Sequence, residues 1–219
     1  MRPGGGSDIV GVIDYRTGNS QSVVHALSHL GIPNRLVAAP EEADGVGRVI
    51  LPGVGAAGTT MRVLRSRGWP EWLAQRVLVE RTPFLGICVG MQVLFEHSAE
   101  QDTECLGWLP GHVVPFVWSR TVRVPQMGWN RVRPRRRHAF VSEMPEGGYF
   151  YFVNSFYVVP NQNDDVAGRT EYGETFCSMT AHRNIVGCQF HVEKSGPLGL
   201  RLLVRFASLT SEELCSPPA

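Results

Sequence analysis

A chain of 219 residues with 43% apolar residues and a formal charge of +1 has the size and composition of one soluble globular domain. The near-balanced charge excludes a general pull toward nucleic acid or an anionic membrane surface, and no apolar run is long enough to span a bilayer. The five cysteines (Cys88, Cys105, Cys177, Cys188 and Cys215) are odd in number and contain no Cys-x-x-Cys pair, which argues against a disulfide framework and for a reducing, cytoplasmic setting. Residues 1–219 read as a single domain with its core at about 8–209, preceded by a flexible lead (MRPGGGSD) and followed by a polar, frayed tail (TSEELCSPPA).

In chain order, DIVGVIDY (8–15) is an apolar run that predicts a strand buried on both faces. TGNSQSVVHALSHLGI follows, with Val23, Leu27 and Leu30 at helical spacing, Asn19 or Ser20 placed to cap the start and Gly31 placed to stop it. Residues 33–38 predict a second strand, and RVILPG (48–53) a third that runs into a glycine-rich turn. Helices are expected over about 59–67 and from Pro70 onward, then a buried strand at FLGIC (84–88) and a helix at VGMQVLFEHS (89–98). The second half predicts strands at 111–117, 121–125, 129–133, 148–159, 166–170, 175–181 and 185–191, with a hairpin turn at AHRNIVG, and closes on an amphipathic helix, LGLRLLVRFASL. The expected fold class is therefore α/β: a mixed, mainly parallel central sheet flanked by helices, with additional antiparallel strands in the C-terminal half. The basic run RVRPRRRH (131–138) has no interleaved aromatics and reads as a solvated loop, with a protein interface as the second reading.

GICVG (86–90) carries the most chemical information. A Gly-x-Cys-x-Gly between a buried strand and a helix is the cysteine form of a nucleophile elbow, and its glycines remove side chains that would crowd the turn. It also sets the Cys88 sulfur at a helix N-terminus, where the dipole favours thiolate. A thiol needs a base, and His191 at the end of the apolar segment GCQFH is followed two residues later by Glu193. On an extended chain the two share a face, so Glu193 can accept from one ring nitrogen while the other faces the thiol. A metal site is the rival reading, because Cys188 and His182 are close in sequence, but no second ligand pair of suitable spacing follows, so no metal is expected. LPGVGAAG (51–58) presents backbone N–H groups to an anion; it lacks the Gly-Lys-Ser/Thr ending of a phosphate loop, and the motif alone leaves an oxyanion hole and a plain tight turn both open.

DYRTGNSQSV, PGVGAAG, GICVGMQVLFEHSAE, PQMGWN, YFYFVNSFYV and GCQFHVEKSGPLGLRLL, in this order and spacing, resemble the blocks of the class I (triad) glutamine amidotransferases, and within them the glutaminase subunits of imidazole glycerol phosphate synthase. The resemblance spans about residues 8–209. Three positions depart from the family pattern: Val192 replaces a common proline, and Asn154 and Gln126 replace common histidines. The resemblance implies that Cys88, His191 and Glu193 form a catalytic triad acting on L-glutamine, with no cofactor. It implies an oxyanion hole from the backbone N–H of Val89 and one from Gly53 or Val54. It further implies glutamine contacts from Gln92, Glu100 and the backbone near Ser155 and Phe156, and a β/α-barrel cyclase subunit that receives the ammonia and meets the chain near Lys194 and Asn19.

Overall fold

The computed structural model describes residues 8–16, 19–120, 122–135, 138–142, 144 and 146–215. Residues 1–7 of the expected N-terminal lead, Thr121, Arg136 and Arg137 of the basic run, and the end of the expected tail lie outside these residues.

The first half alternates strand and helix. Strand β1 (Val10–Ile13) leads to α1 (Ser20–His29), β2 (Asn34–Val37), β3 (Arg48–Gly53), α2 (Ala57–Ser66) and α3 (Trp69–Leu73), which runs on as a π-helix over Ala74–Val79. Then come β4 (Phe84–Cys88) and the one-turn helix α4 (Val89–Gln92). Helix α1 stops as the sequence predicts. Gly31 adopts φ +68°, its N–H donates to the Ser28 carbonyl, and the Ile32 N–H reaches back to Leu27 at 3.0 Å, the paired bonds of a Schellman motif.

The second half supplies β5 (His97–Ser98), β6 (Thr103–Glu104), β7 (Gly111–Pro115), β8 (Gln126–Pro134), β9 (Gly148–Asn154), β10 (Phe156–Pro160), β11 (Val166–Tyr172), β12 (Glu174–His182) and β13 (Ile185–Cys188), then α5 (Gly196–Ser208) and α6 (Ser211–Cys215). One sheet runs in the order β2-β1-β3-β4-β13-β12-β10-β7-β5-β6, and β11, β8 and β9 branch from β12. Strands β2, β1, β3, β4 and β13 are parallel neighbours, and the pairs β13–β12, β12–β10, β10–β7, β12–β11, β11–β8 and β8–β9 are antiparallel. The expected fold class is thus the one observed.

The registers explain where a site falls. Gly53 at the end of β3 lies opposite Cys88 at the end of β4, and Ile87 lies opposite Cys188 at the end of β13. Three adjacent parallel strands therefore release the PGVG turn, the Cys88 elbow and the segment from Gln189 onward at one edge of the sheet. Loops at the carboxyl ends of parallel strands are where such folds bind ligands.

Several expected boundaries differ. The helix expected at 89–98 is one turn long, because Val93, Leu94 and Phe95 are all fully buried and cannot share one helix face. Their backbone pairs instead with 105–111, as in Trp108 N–H to the Leu94 carbonyl at 2.9 Å. No strand forms at 122–125: Val122 closes a turn with Ser119, and Pro125 has no N–H to give a ladder. The run 148–159 breaks at Ser155 into β9 and β10, and the carbonyl of Ser155 accepts from Phe116. Residues 131–134 belong to β8 rather than to a loop. Of the expected frayed tail, 211–215 forms α6, anchored by the buried Leu214. Strand β13 ends at Cys188, so His191 is not on a strand.

Candidate active site

Cys88 has φ +55° and ψ −112°, a strained conformation for any residue with a Cβ. It persists because the two flanking glycines let β3, β4 and α4 touch backbone to backbone. A Cβ on Gly90 would sit 1.9 Å from the Leu51 carbonyl oxygen, and one on Gly86 would sit 2.5 Å from that of Gly90. The glycine spacing read in the sequence is therefore a packing requirement of the elbow. Helix α4 is only one turn, so the dipole expected to favour thiolate is short, and side chains supply most of the local field.

His191 follows β13 with its N–H bonded to the Tyr151 carbonyl at 2.9 Å, and a 3₁₀ turn, Val192–Lys194, comes next. That turn, not an extended strand, brings Glu193 Oε1 to 2.8 Å from His191 Nδ1. Gly199 lets α5 pack directly under it, where an added Cβ would lie 2.0 Å from the Val192 carbonyl. With Nδ1 engaged, the remaining ring nitrogen bonds Cys88. Burial pulls the imidazole pKa down, but the hydrogen bonds to Cys88 and Glu193 and the negative charge of both outweigh it, and the pKa rises from 6.5 to about 10. The ring is thus an imidazolium at neutral pH, hydrogen-bonded on both sides.

The Cys88 sulfur opens onto a cavity of about 330 Å³, near the lower end for small-ligand sites and suited to an amino acid more than to a folded peptide segment. Val54, Gly55 and Val89 form one wall, and Asn154, Ser155 and Phe156 another. Gln92, Glu100 and Lys194 also reach it. Gly53 stands behind the wall: an added Cβ would meet Gly90 N at 2.7 Å, so Val54 and not Gly53 faces the cavity. Glu100 Oε2 accepts from Ala57 N–H at 2.8 Å and ties the start of α2, just past the PGVG turn, to the pocket.

Asn19, expected at a subunit interface or as a helix cap, turns its side chain to Glu193. It makes no side-chain cap bond, and its Nδ2 donates to Glu193 Oε1. Gln189 escaped sequence reading altogether. It is fully buried, with Nε2 at 3.6 Å from Cys88 Sγ and Oε1 accepting from Gln92 at 3.0 Å. Its place after β13 was the available signal, hidden by the strand expected through 191. Gln126 and Asn154, noted only as departures, prove to be register partners across β8 and β9, both buried.

The other titratable groups lie elsewhere. His182 pairs with Asp165 at 2.8 Å rather than approaching Cys188. Burial raises the thiol pKa of Cys105 to about 11 and of Cys177 to about 12, and pushes Cys188 well up. Among the described residues no group of three or more His, Cys, Asp or Glu side chains is arranged to hold a metal. A second cavity, lined by Arg131, Arg133, Arg135, Arg169 and Glu171 among others, shares no residue with the first.

A strained cysteine at a strand–helix elbow, backed by His191 and Glu193 at the carboxyl edge of a parallel sheet, matches the whole-chain comparison: the chain belongs to the class-I glutamine amidotransferase family, whose sequence model covers residues 11–207. Among its relatives, the imidazole glycerol phosphate synthase subunit HisH of Desulfitobacterium hafniense is 41% identical over 206 residues, covering 94% of this chain and 96% of that one. The protein of the same name from Dehalococcoides mccartyi (strain ATCC BAA-2266 / KCTC 15142 / 195) is 43% identical over 200 residues, covering 90% and 96%. Solved structures share the fold at lower identity: a glutamine amidotransferase with a TM-score of 0.69 at 20% identity (91% of this chain, 99% of that one), and PurLQS from Thermotoga maritima with 0.72 at 18% (90% and 96%).

Proposed function

We propose that this chain is the glutaminase subunit of an imidazole glycerol phosphate synthase, a cytoplasmic enzyme of histidine biosynthesis, and that residues 8–209 act as one glutamine-hydrolysing domain. The observation that carries the proposal is the imidazole of His191 bonded on one side to Glu193 and on the other to Cys88, at the wall of an amino-acid-sized cavity.

The chemistry follows from these groups. The Cys88 thiolate attacks the carboxamide carbon of L-glutamine. The carbonyl oxygen becomes an oxyanion, held by the N–H of Val89 and one from the turn at Gly53 and Val54. His191, an imidazolium in the resting site, gives its proton to the departing nitrogen, so ammonia leaves and a γ-glutamyl thioester remains. The neutral imidazole then takes a proton from water, which attacks the thioester and releases glutamate and the thiolate. Glu193 keeps the ring oriented, and Asn19 in turn holds Glu193. Both Nε2 hydrogens of Gln92 donate into the wall, to Phe156 and Gln189, so its Oε1 is the atom left to meet the ligand. Glu100 and the backbone at Ser155 and Phe156 bind the amino and carboxyl ends of glutamine.

The relatives are named as subunits, and an exposed face beside the pocket suits a partner. Across β8 and β9, Met127 pairs with Val153 and Trp129 with Tyr151, so these side chains share one face with Tyr149 opposite Arg131. Met127, Trp129 and Tyr149 are all more than half exposed, and Val153 on the same face lines the cavity. Exposed aromatics clustered at a pocket mouth mark an interaction site. We assign this face, with Lys194, to the β/α-barrel cyclase subunit, which takes up the ammonia before solvent protonates it. Among the described residues no helix is long and apolar enough to cross a membrane.

The test is glutamate release from glutamine by the chain with and without its cyclase subunit. Wild type is expected to hydrolyse glutamine in the complex, and Cys88→Ala to fold but release none. Near-normal activity in Cys88→Ala would reject the nucleophile. Hydrolysis of glutamine that no cyclase chain can use would leave a glutaminase serving another synthase, such as one for pyridoxal phosphate or anthranilate.

A further inference from the structure

Behind the nucleophile runs a buried chain of carboxamides. Phe156 O accepts from Gln92 Nε2 at 3.1 Å, the same Nε2 donates to Gln189 Oε1 at 3.0 Å, and Gln189 Nε2 points at Cys88 Sγ at 3.6 Å. The direction of this chain is fixed by its far end. A backbone carbonyl can only accept, so Gln92 must turn its NH₂ toward Phe156; the second hydrogen of that NH₂ requires an oxygen from Gln189; and Gln189 is left with its own NH₂ facing the sulfur. Asn154 Nδ2 also donates to Phe156 O, at 3.0 Å, which strengthens that anchor.

The sulfur thus has an N–H donor that is independent of His191. Its surroundings discriminate between protonation states. On one side lies the Val153 carbonyl at 3.8 Å, an acceptor that only a neutral thiol could satisfy. On the others lie the Gln189 amide and the His191 imidazolium, donors that a thiolate satisfies better. The carbonyl contact is the longer, and an imidazolium together with an amide N–H outweighs a single carbonyl dipole. Gln189 is also fully buried, so no water competes for its N–H.

We propose that Gln189 is a positioning residue that holds the Cys88 sulfur in its thiolate form and ties it to the pocket wall through Gln92 and Phe156. The proposal deepens the glutaminase reading by naming what keeps the nucleophile poised before glutamine arrives. It also gives the wall a line to the sulfur: a ligand that shifts Phe156 alters the orientation of both carboxamides and so the donor on Cys88.

The experiment is alkylation of Cys88 in the full chain by iodoacetamide, without glutamine, over a range of pH. Gln189→Met keeps the volume and removes both hydrogen bonds. Gln189→Glu keeps the length and an oxygen toward Gln92, but presents an oxygen where the N–H faced the sulfur. Both are expected to move the midpoint of alkylation to higher pH by about one unit, and so to slow alkylation roughly tenfold at pH values below both midpoints. Gln189→Asn, which keeps the NH₂ on a shorter arm, is expected to recover part of that loss. A thermal midpoint that falls while the alkylation profile stays fixed would make Gln189 a core filler and overturn the proposal. So would unchanged profiles in both variants. A shifted profile in a chain whose wild type hydrolyses no glutamine would sink the glutaminase reading and leave the positioning role standing.

Discussion

The Cys88 sulfur differs from the other buried thiols in its company. Cys105, Cys177 and Cys188 are buried with their pKa values raised by desolvation, whereas Cys88 faces an imidazolium and an amide donor. An electrophilic glutamine analogue at neutral pH is therefore expected to label Cys88 ahead of those three, read by peptide mass spectrometry; preferential labelling of Cys105 would contradict it. Glu193 sets the basicity of His191. Glu193→Gln removes one of the charges that hold the imidazole pKa near 10, so its titration, followed by NMR, is expected to fall toward 6.5. Because the folded pKa lies above the unfolded one, the charged ring adds stability below about pH 6.5 and loses it as pH rises through about 10. The variant should therefore lower the thermal midpoint more at about pH 6 than above pH 10. Its turnover is expected to fall on the order of ten-thousandfold, but less than that of His191→Asn, since an orienting group is less costly to lose than the proton carrier. Cys88, His191 and Glu193, the proposed triad, were legible in the sequence because each has a chemical signature at a turn or strand end. Gln189 and Asn19 were not, because a glutamine or asparagine gains its role only from what the fold sets beside it.

At the scale of elements, the elbow is where sequence and structure agree in cause as well as in position. Gly86 and Gly90 were read as clearing the turn, and both sit where a Cβ would strike backbone. The two kinds of glycine in this chain separate by experiment. Gly90→Ala puts a methyl 1.9 Å from a strand carbonyl, and neither β3 nor α4 can yield without moving the elbow. It is expected to lose about 3 kcal/mol or more in denaturant unfolding, together with glutaminase activity. Gly31→Ala meets nothing within 4 Å and is opposed only by φ +68°, so it is expected to lose about 1 kcal/mol and keep its activity. A Gly90→Ala chain with wild-type stability would mean that the elbow packs more loosely than its distances indicate. Pattern reading failed where burial has no period. The apolar run 93–95 continues the helical pattern of 89–92, yet all three side chains are fully buried and the backbone pairs with 105–111. GCQFH likewise looks extended to its end, although Phe190 turns inward to stack on Phe150 at 4.1 Å and the chain leaves the sheet. Neither departure is visible without the partner segment.

For the whole molecule, the parallel and antiparallel parts of the sheet meet between β13 and β12, and the proposed nucleophile and its base leave the ends of the neighbouring parallel strands β4 and β13. The same arrangement places the triad turn under a surface that a partner can grip. Trp129 stands 56% exposed on β8, and the site of an added Gly196 Cβ lies 3.8 Å from its ring, just past the turn that carries Glu193 and Lys194. In the proposed docking, a cyclase subunit seated on Trp129 would bear on the turn that carries Glu193, and Lys194 of the same turn is exposed at the pocket wall. The PGVG turn forms the opposite wall, where Gly55 at φ +92° gives the backbone freedom to present either a carbonyl or an N–H to the reaction centre. Only the N–H orientation stabilises the oxyanion, and loss of one such donor costs on the order of 3 kcal/mol, about a hundredfold or more in rate. The isolated chain is accordingly expected to hydrolyse glutamine slowly, and the complex with the cyclase's nucleotide ligand to hydrolyse it at least a hundredfold faster in a steady-state assay. Trp129→Ala should weaken subunit association by about thirtyfold, the usual effect of truncating a buried tryptophan anchor, while leaving the slow basal rate of the isolated chain unchanged. Lys194→Ala should bind the cyclase but lose part of the stimulation. An isolated chain that already matches the liganded complex would refute control through the turn, and full stimulation in Lys194→Ala would remove that residue from the coupling.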